Sequence, residues 1–143
     1  MWPGRRKQPP IRTLIGDGAS FQGDLRFTDG LRIDGDVRGS VIATGAGPSL
    51  LVIAEHAHVE GKVLAGHVIV NGEVRGPVHA VELLELQPKA RIFGDVMYGA
   101  LEMHQGAQVD GHMRPAVRSD TDTPILQLAT KPERLVASPT DKE

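Results

Sequence analysis

The residues best suited to chemistry in this 143-residue chain are its six histidines: His56, His58, His67, His79, His104 and His112. Imidazole ligates metals and moves protons near neutral pH. None of the six stands beside a Glu or Asp at a spacing recognisable as a ligand motif. Asp34 and Asp36 flank Gly35, as an acid–base pair might, but the comparable places downstream hold Glu60 and Lys62, then Asn71 and Glu73. That variation reads as a solvated face, not a catalytic dyad. The glycine loops Gly16-Asp17-Gly18 and Gly45-Ala46-Gly47 lack the Lys-Ser/Thr pair and the strand-to-helix context of a phosphate site. There is no cysteine, which excludes disulfides, thiolate ligands and thiol nucleophiles. The residues therefore predict no catalytic group, no cofactor and no metal ligand. One alternative stays open: a β-helix enzyme or metal-binding homotrimer of hexapeptide-repeat type, with histidines meeting between subunits.

The elements that would position any such group are set by a repeat. The phrase apolar-x-Gly-x-apolar occurs as Phe21–Leu25, Ile33–Val37, Val59–Val63, Val70–Val74, Ile92–Val96 and Val109–Met113. Apolar residues four apart would also suit a helix, but a central Gly costs roughly 1 kcal/mol there relative to Ala. Alternation is the better reading. Val59, Gly61 and Val63 face inward while Glu60 and Lys62 face water. Val and Ile dominate the inward places, as a pleated half-buried surface prefers, and Gly marks the corner. Short strands with recurrent Gly corners predict an all-β solenoid.

Longer segments fix the coils. Leu50-Leu51, Leu83-Leu84 and Ala100-Leu101 each open a segment that continues through Ala57, Ala90 or Ala107 to the Gly phrase. The segments DGLRIDGDVRG and GHVIVNGEVRG fill the other places. Six coils result: 14–30, 31–48, 49–66, 67–82, 83–99 and 100–114. At about 4.8 Å per coil they make a rod roughly 30 Å long. Thr44–Ser49 is expected to bulge as a loop, and 81–86 to be strand and corner. Phe93 stands where the other copies of the phrase carry Gln22, Asp34, Glu60, Asn71 and Asp110. It is read either as an exposed spot for lateral contact or as a ring lying over a neighbouring corner.

The flanks differ from the repeat. Residues 1–13 are proline-rich and carry Arg5, Arg6, Lys7 and Arg12 with no acid. They are expected to be a disordered basic tail. Met1 and Trp2 beside Arg5, Arg6 and Lys7 suggest contact with an anionic lipid interface, each cation contributing about 1 kcal/mol near the surface. Residues 14–114 hold eight basic and thirteen acidic residues, an acidic body that does not predict nucleic-acid binding. Residues 115–143, with Pro115, Pro124, Pro132 and Pro139, are expected to be a disordered proline-rich tail. Its one apolar island is Ile125-Leu126-Gln127-Leu128. Aromatic residues make up 3% of the chain, too few for a sandwich core but enough for a thin aliphatic solenoid. No run reaches the ~20 apolar residues of a membrane span, and the start has no secretory h-region, so a cytoplasmic protein is expected.

A solenoid without caps leaves two open edges, and matching edges stack into a filament. At this point the sequence resembles the bactofilins, bacterial cytoskeletal proteins. The likeness spans about residues 13–114: TLIGDGASFQGDL, then LRIDGDVRG, then VEGKV, VNGEVRG, IFGDV and VDGHM. It implies a single-domain right-handed parallel β-helix polymerising end to end, without nucleotide, into non-polar filaments. It also implies attachment to the cytoplasmic face of the inner membrane through the N-terminal segment. Roles in cell shape or in placing cell-wall enzymes follow from the same likeness. The family's end contacts are apolar residues of terminal coils. The candidates here are Leu14, Ile15, Phe21 and Phe27 at one end, and Leu101, Met103, Val109 and Met113 at the other.

Overall fold

The computed structural model describes residues 8–116, and every regular element in that span is a β-strand. All pairs are parallel, as coiling in one direction requires. The fifteen strands sort into three faces of a β-solenoid with six coils. The first face stacks Ile11–Ile15, Gly30–Ile33, Leu50–Ile53, 67–70, 83–86 and 100–103. The second stacks Ser20–Gln22, Asp36–Arg38, His58–Glu60, Glu73–Arg75, Arg91–Phe93 and Gln108–Asp110. The third stacks Leu25–Phe27, Val41–Ala43, 63–65, 78–80, 96–98 and Met113–Pro115. Three long strands, Val63–Val70, Val78–Leu86 and Val96–Met103, run from the third face of one coil onto the first face of the next.

The core is a set of aliphatic columns. On the second face Val37, Val59, Val74 and Ile92 lie above one another in register and are buried. On the first face the buried columns are Leu31, Leu51, Val68, Leu84 and Ile33, Ile53, Val70, Leu86. Burying each such side chain stabilises the fold by about 1.5–3 kcal/mol. Period-2 alternation sends the residues between them outward, so Glu60, Arg38 and Asp110 are exposed.

The corner between the second and third faces is a column of glycines: Gly23, Gly39, Gly61, Gly76, Gly94 and Gly111, with φ from 120° to 154°. Gly23, in the first coil, is required by its φ alone, and the other five are needed twice over. The backbone conformation is one that side chains disfavour, and a Cβ on Gly61 would run into the carbonyl of Gly39, as one on Gly94 would into Gly76. The close approach lets pairing continue around the bend. Gly61 N–H donates to the Arg75 carbonyl at 2.8 Å, and Gly94 N–H to that of Asp110 at 3.0 Å.

This column corrects the sequence alignment of the repeat. Gly35 and Gly72, read as copies of the same phrase, lie at the other corner, between the first and second faces. Coils two and four turn that corner with two residues, 34–35 and 71–72, whereas the other coils use four. The first strand also begins at Ile11, three residues before the border placed at Leu14. The loop at 44–49 and the strand through 81–86 lie where expected.

Candidate functional site: the open ends of the stack

Among the described residues, both ends of the solenoid leave strands paired on one side only. Ser20–Gln22 and Gln108–Asp110 terminate one sheet; Ile11–Ile15 and Met113–Pro115 lie at the ends of the other. Among the described residues no helix crosses either end. Unpaired backbone groups in such strands are templates for another chain.

The inward columns emerge at these ends. At the first coil they finish in Ile15, Phe21 and Leu25, each half-buried, stacked on Ile33, Val37 and Val41. At the last coil they finish in Leu101, Val109 and Met113, half-buried, and in Met103, 46% exposed. The same positions are fully covered one coil further in, so the exposure reflects the missing next coil. Of the eight expected end residues, Ile15, Phe21, Leu101, Met103, Val109 and Met113 lie on these columns. Leu25 belongs with them and was missed, although it follows Gly23 by two as Val63 follows Gly61.

Two expectations are corrected. Phe27 is 6% exposed and part of the core, not of the open end. The column beyond it is Ala43, Ala65 and Ala80, whose small side chains leave room for a phenyl ring. Leu14 is exposed but pairs with the outward Arg32, so it points to the side of the rod. Phe93 does stand outward on the second face and is half-buried. The guanidinium of Arg75, from the preceding coil, lies 4.4 Å from its ring centroid. Such contacts contribute about 0.5–1 kcal/mol at exposed sites. Met1, Trp2, Arg5, Arg6 and Lys7 lie outside the described residues, as does the 125–128 island.

The outer surface carries ion pairs between strands and corners. Two hydrogen bonds from Arg32 hold the Asp34 carboxyl below its usual range. Lys89 does the same for Glu55 across 2.7 Å, and the backbone N–H of His112 for Asp95. The histidines are dispersed: His58 on the second face beside Glu73, His79 on the third, His112 in a corner beside Asp95. His56 and His58 form no cluster with a third ligand among the described residues. One grouping escaped the sequence reading: Glu85, Glu102 and His104 at the C-terminal end of the first face, with donor atoms within 4.8 Å of one another.

A family model described as Bactofilin, polymer-forming cytoskeletal, matches residues 13–114. The chain belongs to the bactofilin family. This bactofilin is thus a polymer-forming cytoskeletal protein, and the matched span coincides with the solenoid. No curated protein and no solved structure matches the chain.

Proposed function

We propose that this bactofilin polymerises end to end through its terminal coils, without nucleotide, into non-polar filaments. The filaments act as a scaffold on the cytoplasmic face of the inner membrane. The observation that carries the reading is the pair of open ends, where the apolar columns finish in Phe21 and Leu25 on one side and in Met103 and Met113 on the other. Stacking a further coil would cover these side chains and pair the free strand edges in one step. The basic segment with Met1, Trp2, Arg5, Arg6 and Lys7 supplies the lipid contact. A single weak anchor becomes a firm one when many copies lie along one filament. A membrane-bound filament of this kind would serve cell shape or the placing of cell-wall enzymes.

Electron microscopy of the purified protein, without nucleotide or added metal, tests the assembly. Long uniform filaments are expected. Met103→Arg should give short soluble oligomers, because every junction between coil-six ends would then bury unpaired charge. Long filaments from that variant would place the interface elsewhere. Deleting residues 1–7 should abolish co-sedimentation with anionic liposomes and leave polymerisation intact; undiminished lipid binding would remove the proposed role of the tail.

A further inference from the structure

Glu85 and Glu102 occupy adjacent rungs of the first face, directly in register and both on its outer side. Like charges placed opposite one another in a sheet repel. Elsewhere on this surface carboxylates meet cations: Asp34 meets Arg32, Glu55 meets Lys89, and Glu60 meets Arg38. Here the groups in reach are imidazoles. His104 Nε2 lies 3.7 Å from Glu85 Oε2, and His67 Nε2 lies 4.0 Å from the other oxygen, Oε1. Gln87 Nε2 also donates to Oε2, at 3.4 Å. No Lys or Arg among the described residues pairs with either glutamate.

We infer that Glu85, Glu102 and His104 form a binding site for a divalent transition-metal ion of the zinc class. Two carboxylates and an imidazole are a donor set that zinc accepts, and three protein ligands leave one position for water. Donors around a tetrahedral zinc stand about 3.4 Å apart, given bonds near 2.0–2.1 Å. The three donor atoms already lie within 4.8 Å of one another, so small side-chain rotations close the shell. The strands supply the rigidity: Glu85 and Glu102 are fixed by the ladder, and His104 N–H donates to the Leu86 carbonyl at 2.9 Å. His67, on the other oxygen of Glu85, helps to hold that carboxylate. The ion would cancel the repulsion between the two glutamates and tie the fifth coil to the sixth, next to the open end. The site is independent of the filament reading, since it needs one chain only.

The test uses the full-length protein without an affinity tag, stripped with a chelator and titrated with zinc chloride in a calorimeter. One zinc per chain is expected. Cobalt(II) should give the visible absorption of a low-symmetry nitrogen–oxygen site. Glu102→Gln and His104→Ala, both at exposed positions, should each weaken zinc by about tenfold or more. The double change His56→Ala with His58→Ala should leave it unaltered. The proposal fails if the wild type binds no stoichiometric zinc, if the Glu102 and His104 variants bind as well as wild type, or if only the His56/His58 variant loses the ion.

Discussion

Arg32 and Asp34 lie two residues apart on the second coil and hold each other through hydrogen bonds of 2.8 and 3.1 Å. With Glu55 on Lys89 and Asp95 on His112, they give three carboxyls whose folded pKa lies below the ordinary value. A carboxyl lowered in this way binds fewer protons when folded than when unfolded. Its contribution is present above the unfolded pKa and is lost as pH falls through the folded one. Thermal stability should therefore decline on acidification below about pH 5. The loss should be modest, since all three carboxyls are solvent-accessible and screened. Asp34→Asn should flatten the decline; an unchanged acid profile in that variant would show that the Arg32 pair carries none of it. The pairs Glu55–Lys89 and Asp95–His112 were not legible in the sequence, because their members become neighbours only once coils stack. The same holds for Glu85 and Glu102, seventeen residues apart, a spacing with meaning only when it equals one coil. Phe27 was misplaced for a related reason: its burial depends on the alanines stacked beyond it, and columns are not visible in a linear chain.

At the scale of the coil, the Gly column is the element on which the second and third faces turn. Gly94→Ala would put a side chain both into a disfavoured φ of 147° and against the Gly76 carbonyl. The backbone strain alone costs about 1–3 kcal/mol, and the collision adds to it. Thermal unfolding should show a melting temperature lowered by several degrees. Gly47→Ala is the matched control: its φ is ordinary and a Cβ there meets nothing within 4 Å, so little change is expected. Equal losses in the two variants would mean that the column has no special role. The solenoid, its coil number and most coil borders were legible, because a three-faced coil repeats its apolar alternation every turn. The assignment of glycines was not. The phrase apolar-x-Gly-x-apolar fits both corners, and in coils two and four it fits twice, overlapping: Ile33–Val37 runs into Val37–Val41, and Val70–Val74 into Val74–Val78. Gly39 and Gly76 were thus present in the pattern; only the shared Val hid them.

For the whole molecule, the question is how one end meets another. The coil-one end presents Ile15, Phe21 and Leu25, and the coil-six end presents Leu101, Met103, Val109 and Met113, so the two surfaces are different and each is apolar. A head-to-tail polymer joins unlike ends and uses a single kind of junction. A non-polar filament joins like to like and needs two kinds, each with its own two-fold axis. Blocking one end separates these designs. With Phe21→Arg, a head-to-tail polymer has no junction left and collapses to monomers of 15.4 kDa. A non-polar filament keeps the junction between coil-six ends and stops at dimers. Met103→Arg should likewise stop at dimers, joined through the opposite ends. Mixing the two variants then decides the matter: head-to-tail ends would recombine into mixed dimers, whereas like-to-like assembly would leave two separate homodimers. Sedimentation velocity gives the masses, and a label on one variant shows whether it ever pairs with the other. Dimers from each variant alone are the expected result. Monomers alone that pair only on mixing would overturn the non-polar arrangement while leaving the terminal coils as the surfaces that bind.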